Sequence, residues 1–170
     1  LSYHYANGGS LTADGAPLGG IAAGDNAITE VIPYAHGLSD MLLNPGKKVA
    51  FNGSTVTYPD IKLVYWAGGN PLSHQMDRNR QIEAWQKPET IIVNEPFWSA
   101  TAKFADIVLP VNTPFERNDI EIVSEYSGRW IVGMPKLIDP LFESQSDYDI
   151  FAALSKRLGF EDKFTEGKSE

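Results

Sequence analysis

The sequence predicts an α/β fold, a Rossmann-like three-layer domain with a parallel sheet core and β-hairpin inserts. Three observations predict it. Between residues 60 and 110, short apolar runs rich in β-branched and aromatic residues alternate with helix-like stretches, the strand–helix–strand rhythm of a parallel sheet. Two Gly-centred turns, Asn52-Gly53 and Ser127-Gly128, each stand between alternating runs and signal hairpins. Each core strand ends on Gly, Asn or Pro followed by polar side chains, as expected where a sheet presents its carboxyl ends to a ligand.

In chain order, residues 1–30 read as loop. Asn7-Gly8-Gly9, Gly19-Gly20 and Gly24-Asp25-Asn26 are turn punctuation with little periodicity. Val31, Ile32, Tyr34, Leu38, Met41, Leu42 and Leu43 form a helical stripe, starting after Pro33 and stopped by Asn44-Pro45-Gly46. The 49–51 and 55–58 runs make the first hairpin. A strand over 61–66 stops at Ala67-Gly68-Gly69, where lost side-chain bulk lets a backbone or ligand come close. Asn70-Pro71 forces a turn, because the residue before Pro avoids helical dihedrals. A helix over about 77–87 carries Ile82, Ala84 and Trp85 and stops at Pro88. Residues 89–93 form the second strand, with Asn94-Glu95-Pro96 at its end. Ser99 N-caps a short helix to Phe104, and 106–110 form the third strand. A hairpin spans 121–132. Ser146 N-caps a last helix whose apolar face is Ile150, Phe151, Leu154 and Leu158, with Gly159 as its stop. The expected organisation is a loop-rich segment with helix and hairpin (1–59), an α/β nucleotide-binding domain (60–160) and a fraying polar tail (161–170).

Composition narrows the function. The 170 residues are 42% hydrophobic and 21% charged, ordinary for a globular domain, and the net charge of −8 argues against a nucleic-acid footprint. Without Cys the chain holds no disulfide, thiolate zinc site or iron–sulfur cluster of its own. His4, His36 and His74 are too scattered to suggest a metal site. No apolar run is long enough for a membrane span, and no signal-peptide pattern opens the sequence. Beginning at Leu1-Ser-Tyr-His-Tyr rather than at Met, the chain is expected to be a fragment. A domain cut from a larger protein should then expose apolar surface where its neighbours sat.

Nucleophile elbow, phosphate-loop and dinucleotide fingerprints are absent from the sequence. Instead the three strand ends supply Asn70 and His74, then Asn94 and Glu95, then Glu116, Arg117 and Asp119. Such a set suits a nucleotide-like ligand. A carboxylate accepts from a base's ring N–H and amine, and Arg stacks on a base or pairs with phosphate. Each residue also has a plainer role open to it. His74 can be a helix-entry histidine, Arg117 an ion-pair partner of Glu116 or Asp119, and Asp147 a first-turn acid favoured by the helix dipole.

Four stretches carry a resemblance: Tyr65-Trp-Ala-Gly-Gly-Asn-Pro71, Asp77-Arg-Asn-Arg80, Ala105-Asp-Ile-Val-Leu-Pro110 and Glu116-Arg-Asn-Asp119. The chain resembles the molybdopterin oxidoreductases of the dimethyl sulfoxide reductase type, and among them the trimethylamine-N-oxide reductases. Ala-Asp-Ile-Val-Leu-Pro is widespread in molybdopterin enzymes; the Gly-Gly-Asn-Pro and Glu-Arg-Asn-Asp stretches are more specific. The resemblance implies a domain that binds one guanosine arm of bis(molybdopterin guanine dinucleotide) molybdenum. It matches Asn70, His74, Asn94, Glu95, Arg117 and Asp147 to cofactor-contacting positions. The turn departs from the family pattern, which usually has an aromatic and further His residues where this chain has Leu72-Ser73-His74-Gln75-Met76.

The resemblance implies that the molybdenum ligand and the catalytic residues lie outside this chain, leaving it no catalytic or metal-binding candidate of its own. The resemblance further implies a periplasmic parent enzyme that reduces trimethylamine N-oxide, dimethyl sulfoxide or related small oxides, with a c-type cytochrome as electron donor. The lack of Cys fits reductases without an iron–sulfur cluster. The alternative is a non-catalytic α/β nucleotide-binding or interaction module. A third reading is a folded remnant with no ligand.

Overall fold

The computed structural model describes residues 37–51, 53–74, 76–123 and 130–168. The loop-like 1–30 stretch, the start of the first helical stripe and the Ser127-Gly128 turn lie outside these residues. Those described fall into two compact units that divide between Leu109 and Pro110.

The first unit opens with α1 (Leu38–Leu43) and the hairpin β1 (Lys48–Phe51) and β2 (Ser54–Thr57). Gly53, at φ +78°, takes the left-handed conformation the hairpin turn needs. The core elements follow: β3 (Leu63–Ala67), α2 (Pro71–His74), α3 (Arg78–Trp85), β4 (Thr90–Glu95), α4 (Ala100–Lys103) and β5 (Ile107–Pro110). The three strands form one parallel sheet in the order β3-β4-β5. Leu63 faces Thr90 and Ala67 faces Asn94, so β3 and β4 end side by side.

One hydrophobic cluster holds this unit together. Ile91 and Val93, on one face of β4, pack with Leu38, Met41 and Leu42 of α1, Leu72 of α2, Ala84 and Trp85 of α3 and Ala102 of α4. Val64 and Trp66, paired with Ile91 and Val93 across the ladder, extend the same face. Burying a side chain such as Leu72 contributes about 1.5–3 kcal/mol. Beneath α1, Asp40 is nearly buried and accepts from Lys47 Nζ at 3.0 Å, Arg80 Nη2 at 3.2 Å and Asn44 Nδ2 at 3.1 Å. That single carboxylate ties α1 to the turn before β1 and to α3.

The second unit contains β6 (Asp119–Val123) and β7 (Trp130–Met134), an antiparallel pair, followed by α5 (Asp147–Leu158) and α6 (Glu161–Thr165). Ser146 Oγ accepts from Asp149 N at 3.1 Å and starts α5, and Gly159 ends it in the left-handed region at φ +82°. The expected apolar surface is present: Ile120, Trp130, Ile131 and Phe142 are all exposed. Among the described residues no helix is long and apolar enough to cross a membrane.

Three local expectations change. The first strand runs 63–67 rather than 61–66, because Lys62 is drawn into the Asp60 and Glu89 ion pairs and its carbonyl accepts from Glu89 N and Thr90 N. The Asn70-Pro71 turn continues into α2, with Pro71 at the first helical position, where its missing N–H costs nothing. The tail is not a fraying coil. Its first five residues form α6, whose Phe164 packs against Tyr148 at 5.6 Å and Phe151 at 6.4 Å between ring centroids.

Candidate functional site

In the first unit the site is built on the ends of β3 and β4. Gly68 and Gly69 turn the chain at φ +81° and +72°. A Cβ at either would meet nothing within 4 Å, so the glycines are needed for their dihedrals and not to make room for a packed neighbour. Trp66 Nε1 donates to Gly68 O at 2.7 Å and pins the turn. Asn70 then starts α2: its carbonyl accepts from Ser73 N and His74 N, both at 3.0 Å. Its side-chain oxygen accepts from Thr101 Oγ1 at the start of α4. The carboxamide of Asn70 is thereby fixed between two helix starts, with its NH₂ as the remaining donor group.

Asn94, buried at the end of β4, accepts from the Tyr65 hydroxyl at 2.9 Å. Glu95 is half-buried, and its Oε2 accepts from Ser99 Oγ at 2.8 Å. Ser99 Oγ also accepts from Ala102 N at 3.2 Å, so one hydroxyl caps α4 and holds the Glu95 carboxylate. His74 is exposed at the last position of α2. The structure therefore brings Asn70, Asn94 and Glu95 together at the carboxyl ends of two paired parallel strands. His74 joins them through α2, without a described hydrogen bond to fix its ring.

In the second unit Arg117 is the centre. Its Nε donates to Asp119 Oδ2 at 2.9 Å, and Nη2 lies 2.8 Å from the same oxygen. Nη1 donates to the Asn112 carbonyl at 2.8 Å and stands 4.0 Å from Asp147 Oδ2. Asp147 is the first residue of α5, so the macrodipole favours its charge as well as Arg117 does. Arg117 and Asp147, 30 positions apart in sequence (147 − 117), are thus neighbours.

Two residues of this group carry more than the sequence disclosed. Glu116 is buried at 4% exposure and accepts from Thr113 N at 2.7 Å, Thr113 Oγ1 at 2.6 Å and Leu141 N at 2.7 Å. It fixes the loop bearing Arg117 to the segment that leads to Asp147. Asn112 is buried, and its Oδ1 has no partner. No sequence signal marks Asn112. Glu116 read as one more charge in a polar run, because its partners are backbone N–H groups that a sequence pattern does not reveal.

The Thr113 hydroxyl, then the Thr113 and Leu141 amides, hold the Glu116 carboxyl below the ordinary glutamate range. A depressed carboxyl contributes stability above its unfolded value and loses it as pH falls through the folded one. Glu116→Ala is therefore expected to lower the thermal midpoint by several degrees at neutral pH. The gap from wild type should close on acidification below about pH 4, the ordinary glutamate value. Thermal melts across that range check this, and a gap that widens in acid contradicts it.

Comparisons with known proteins give the family. The family model described as "Molybdopterin oxidoreductase" matches residues 4–157. The whole chain is 57% identical to a dimethyl sulfoxide/trimethylamine N-oxide reductase of Cereibacter sphaeroides and 48% identical to a trimethylamine-N-oxide reductase of Haemophilus influenzae. A biotin sulfoxide reductase of Cereibacter sphaeroides is 48% identical over 95% of the chain. The chain spans 22% of the length of each of these relatives. Among solved structures, the acetylene hydratase of Pelobacter acetylenicus superposes on 65% of the chain, and 15% of its own, with a TM-score of 0.57 at 22% identity, a likeness of fold.

Proposed function

The chain belongs to the molybdopterin oxidoreductase family, and on that footing we propose that it is part of a molybdoenzyme that reduces N-oxides or S-oxides by oxygen-atom transfer. Its own task in that enzyme is to grip one guanosine arm of a bis(molybdopterin guanine dinucleotide) cofactor. The observation that carries this reading is the placement of Asn70, Asn94 and Glu95 at the ends of adjacent parallel strands, where open α/β sheets receive their ligands.

The residues present fit such a group by the chemistry of their donors and acceptors. Glu95 has one oxygen engaged by Ser99 and a second acceptor oxygen for a base's N–H groups. Asn70 offers its amide donors. Arg117, oriented by Asp119 and Asn112, offers a planar cation to a phosphate or a base face, and Asp147 a second carboxylate. When bound, the cofactor's molybdenum supplies the redox change that accepts an oxygen atom. The residues of this chain bind and orient one of its arms. Trimethylamine N-oxide and dimethyl sulfoxide are the proposed substrate class, after the names of the relatives. We further propose a periplasmic location and a c-type cytochrome as electron donor, as in the oxide reductases the chain resembles.

Binding of guanosine monophosphate to the chain tests the reading. Wild type is expected to bind it in preference to the adenosine analogue, and Arg117→Ala to bind it roughly tenfold more weakly or worse, the effect of losing a charge-assisted contact. Equilibrium dialysis measures both. No preference for guanine over adenine, or an Arg117→Ala variant that loses stability but not affinity, would sink the proposal.

A further inference from the structure

The turn between β4 and α4 carries two large aromatic side chains that the core does not use. Phe97 and Trp98 are 70% and 71% exposed, and neither belongs to the hydrophobic cluster. They sit directly after Glu95, and the turn holding them is tightly closed. Ser99 N donates to Phe97 O at 2.8 Å, and Ser99 Oγ donates to Glu95 Oε2 at 2.8 Å. Ser99 is itself anchored as the N-cap of α4. The turn therefore carries a held carboxylate and an exposed indole three positions apart, directly after the strand end that bears Asn94. The exposed indole of Trp98 adds nothing to the hydrophobic cluster of this unit, and Glu95, three positions before it, keeps one carboxylate oxygen beyond its bond to Ser99. Together they match what a planar heterocycle requires: a ring face to stack on and an acceptor at its edge.

We propose that Trp98 is a stacking residue of the cofactor site, with Glu95 as the acceptor that reads the edge of the stacked ring. This rests on the cofactor reading above and assigns the chemistry of the first unit's residues. The ring in question carries a 2-amino-4-oxo edge, whose ring N–H and exocyclic amine both donate toward a carboxylate. Guanine and pterin share that edge, so either end of a molybdopterin guanine dinucleotide arm can supply it. Adenine lacks it, and hypoxanthine keeps the ring N–H but not the amine.

The test is a titration of the chain with guanosine monophosphate, inosine monophosphate and pterin, for wild type, Trp98→Ala and Glu95→Gln, followed by dialysis and by tryptophan fluorescence. Trp98 is exposed, so far-UV circular dichroism of Trp98→Ala should match wild type. Trp98→Ala is expected to weaken binding roughly 5- to 150-fold, the range for removing one stacked ring, and to abolish the ligand-induced quenching. Glu95→Gln is expected to erase the preference for guanosine over inosine monophosphate. Binding of pterin without guanosine monophosphate, lost on Trp98→Ala, sustains the stacking role and overturns the guanosine assignment. A wild type that binds guanosine monophosphate while Trp98→Ala binds it equally well overturns the stacking role and leaves the guanosine assignment standing. A wild type that binds neither ligand overturns both.

Discussion

Trp85→Ala is expected to cost the first unit about 3–5 kcal/mol, the largest loss of stability for any single truncation in it. Trp85 is 1% exposed and meets Trp66 edge-to-face, with ring centroids 5.8 Å apart and planes at 62°. It sits in the cluster with Leu38, Ala84, Ile91 and Val93, so removing the indole leaves a cavity lined from α1, α3 and β4. Trp85→Phe is expected to cost far less, about 1–2 kcal/mol. Most of the ring volume stays, and the Nε1–H it deletes is a buried donor with no partner. Trp130→Ala is the control. Its indole is 66% exposed, and the substitution should stay within about 0.5 kcal/mol. Urea unfolding followed by circular dichroism measures all three. A Trp85→Ala cost no larger than that of Trp130→Ala would show that the cluster is not what holds α3 to the sheet.

Asp40→Ala is expected to follow at about 3 kcal/mol, for a different reason. The carboxylate accepts from Lys47, Arg80 and Asn44, and from the Tyr58 hydroxyl, so its loss detaches four donors at once. Hydrogen bonds to a charged group contribute about 1.5–3 kcal/mol each. Lys47 and Arg80 are half-exposed and regain water when released, which keeps the total well below that sum. The Lys47 hydrogen bond is the main cause that holds the Asp40 carboxyl below the ordinary aspartate range, against the opposing effect of its burial. The stabilisation is therefore present above about pH 4 and disappears as pH falls through the lowered native value. Wild type and Asp40→Ala should converge in stability at acid pH and separate as pH rises. Curves that run parallel across the range would exclude Asp40 as the source of the acid sensitivity.

How much of this was legible in the sequence differs from element to element. The cores of β3, β4 and β5 stood out because short parallel strands with partly or wholly buried middles read as unbroken apolar, β-branched runs. Ser99 and Ser146 were legible as caps because their hydroxyls act within their own helix turn, and Gly159 because only a left-handed residue ends α5 as it does. The hairpin of β1 and β2 followed from Asn52-Gly53. Interactions between distant segments were not legible. The helix α2 is four residues long and depends on Asn70 bonding Thr101, 31 positions away. The helix α6 is polar in sequence and is anchored through Phe164 to rings of α5.

For the candidate site, residue types at the strand ends singled out Asn70, Asn94 and Glu95, and the structure places all three at the carboxyl ends of β3 and β4. Asp147 read only as a helix-start acid until the resemblance singled it out, and the structure gives it Arg117 as a neighbour. Glu116 was singled out with its neighbours, but the tie it makes stayed hidden because its third partner, the Leu141 amide, is 25 positions away.

The parallel pairing of β3 with β4 also dictates how this polypeptide reaches its native state. Leu63 must find Thr90, a separation of 27 positions (90 − 63), before the first rung of the ladder can form. The entropy of closing that loop is lost before any rung repays it. The β6 and β7 rungs, by contrast, begin at Val123 and Trp130, only 7 positions apart (130 − 123). Refolding from denaturant should accordingly be heterogeneous in time, with hairpin signal recovered early and burial of Trp66 and Trp85 late. During that interval β3 and β4 have unpaired edges and uncovered apolar faces, so yield on refolding should fall steeply with protein concentration.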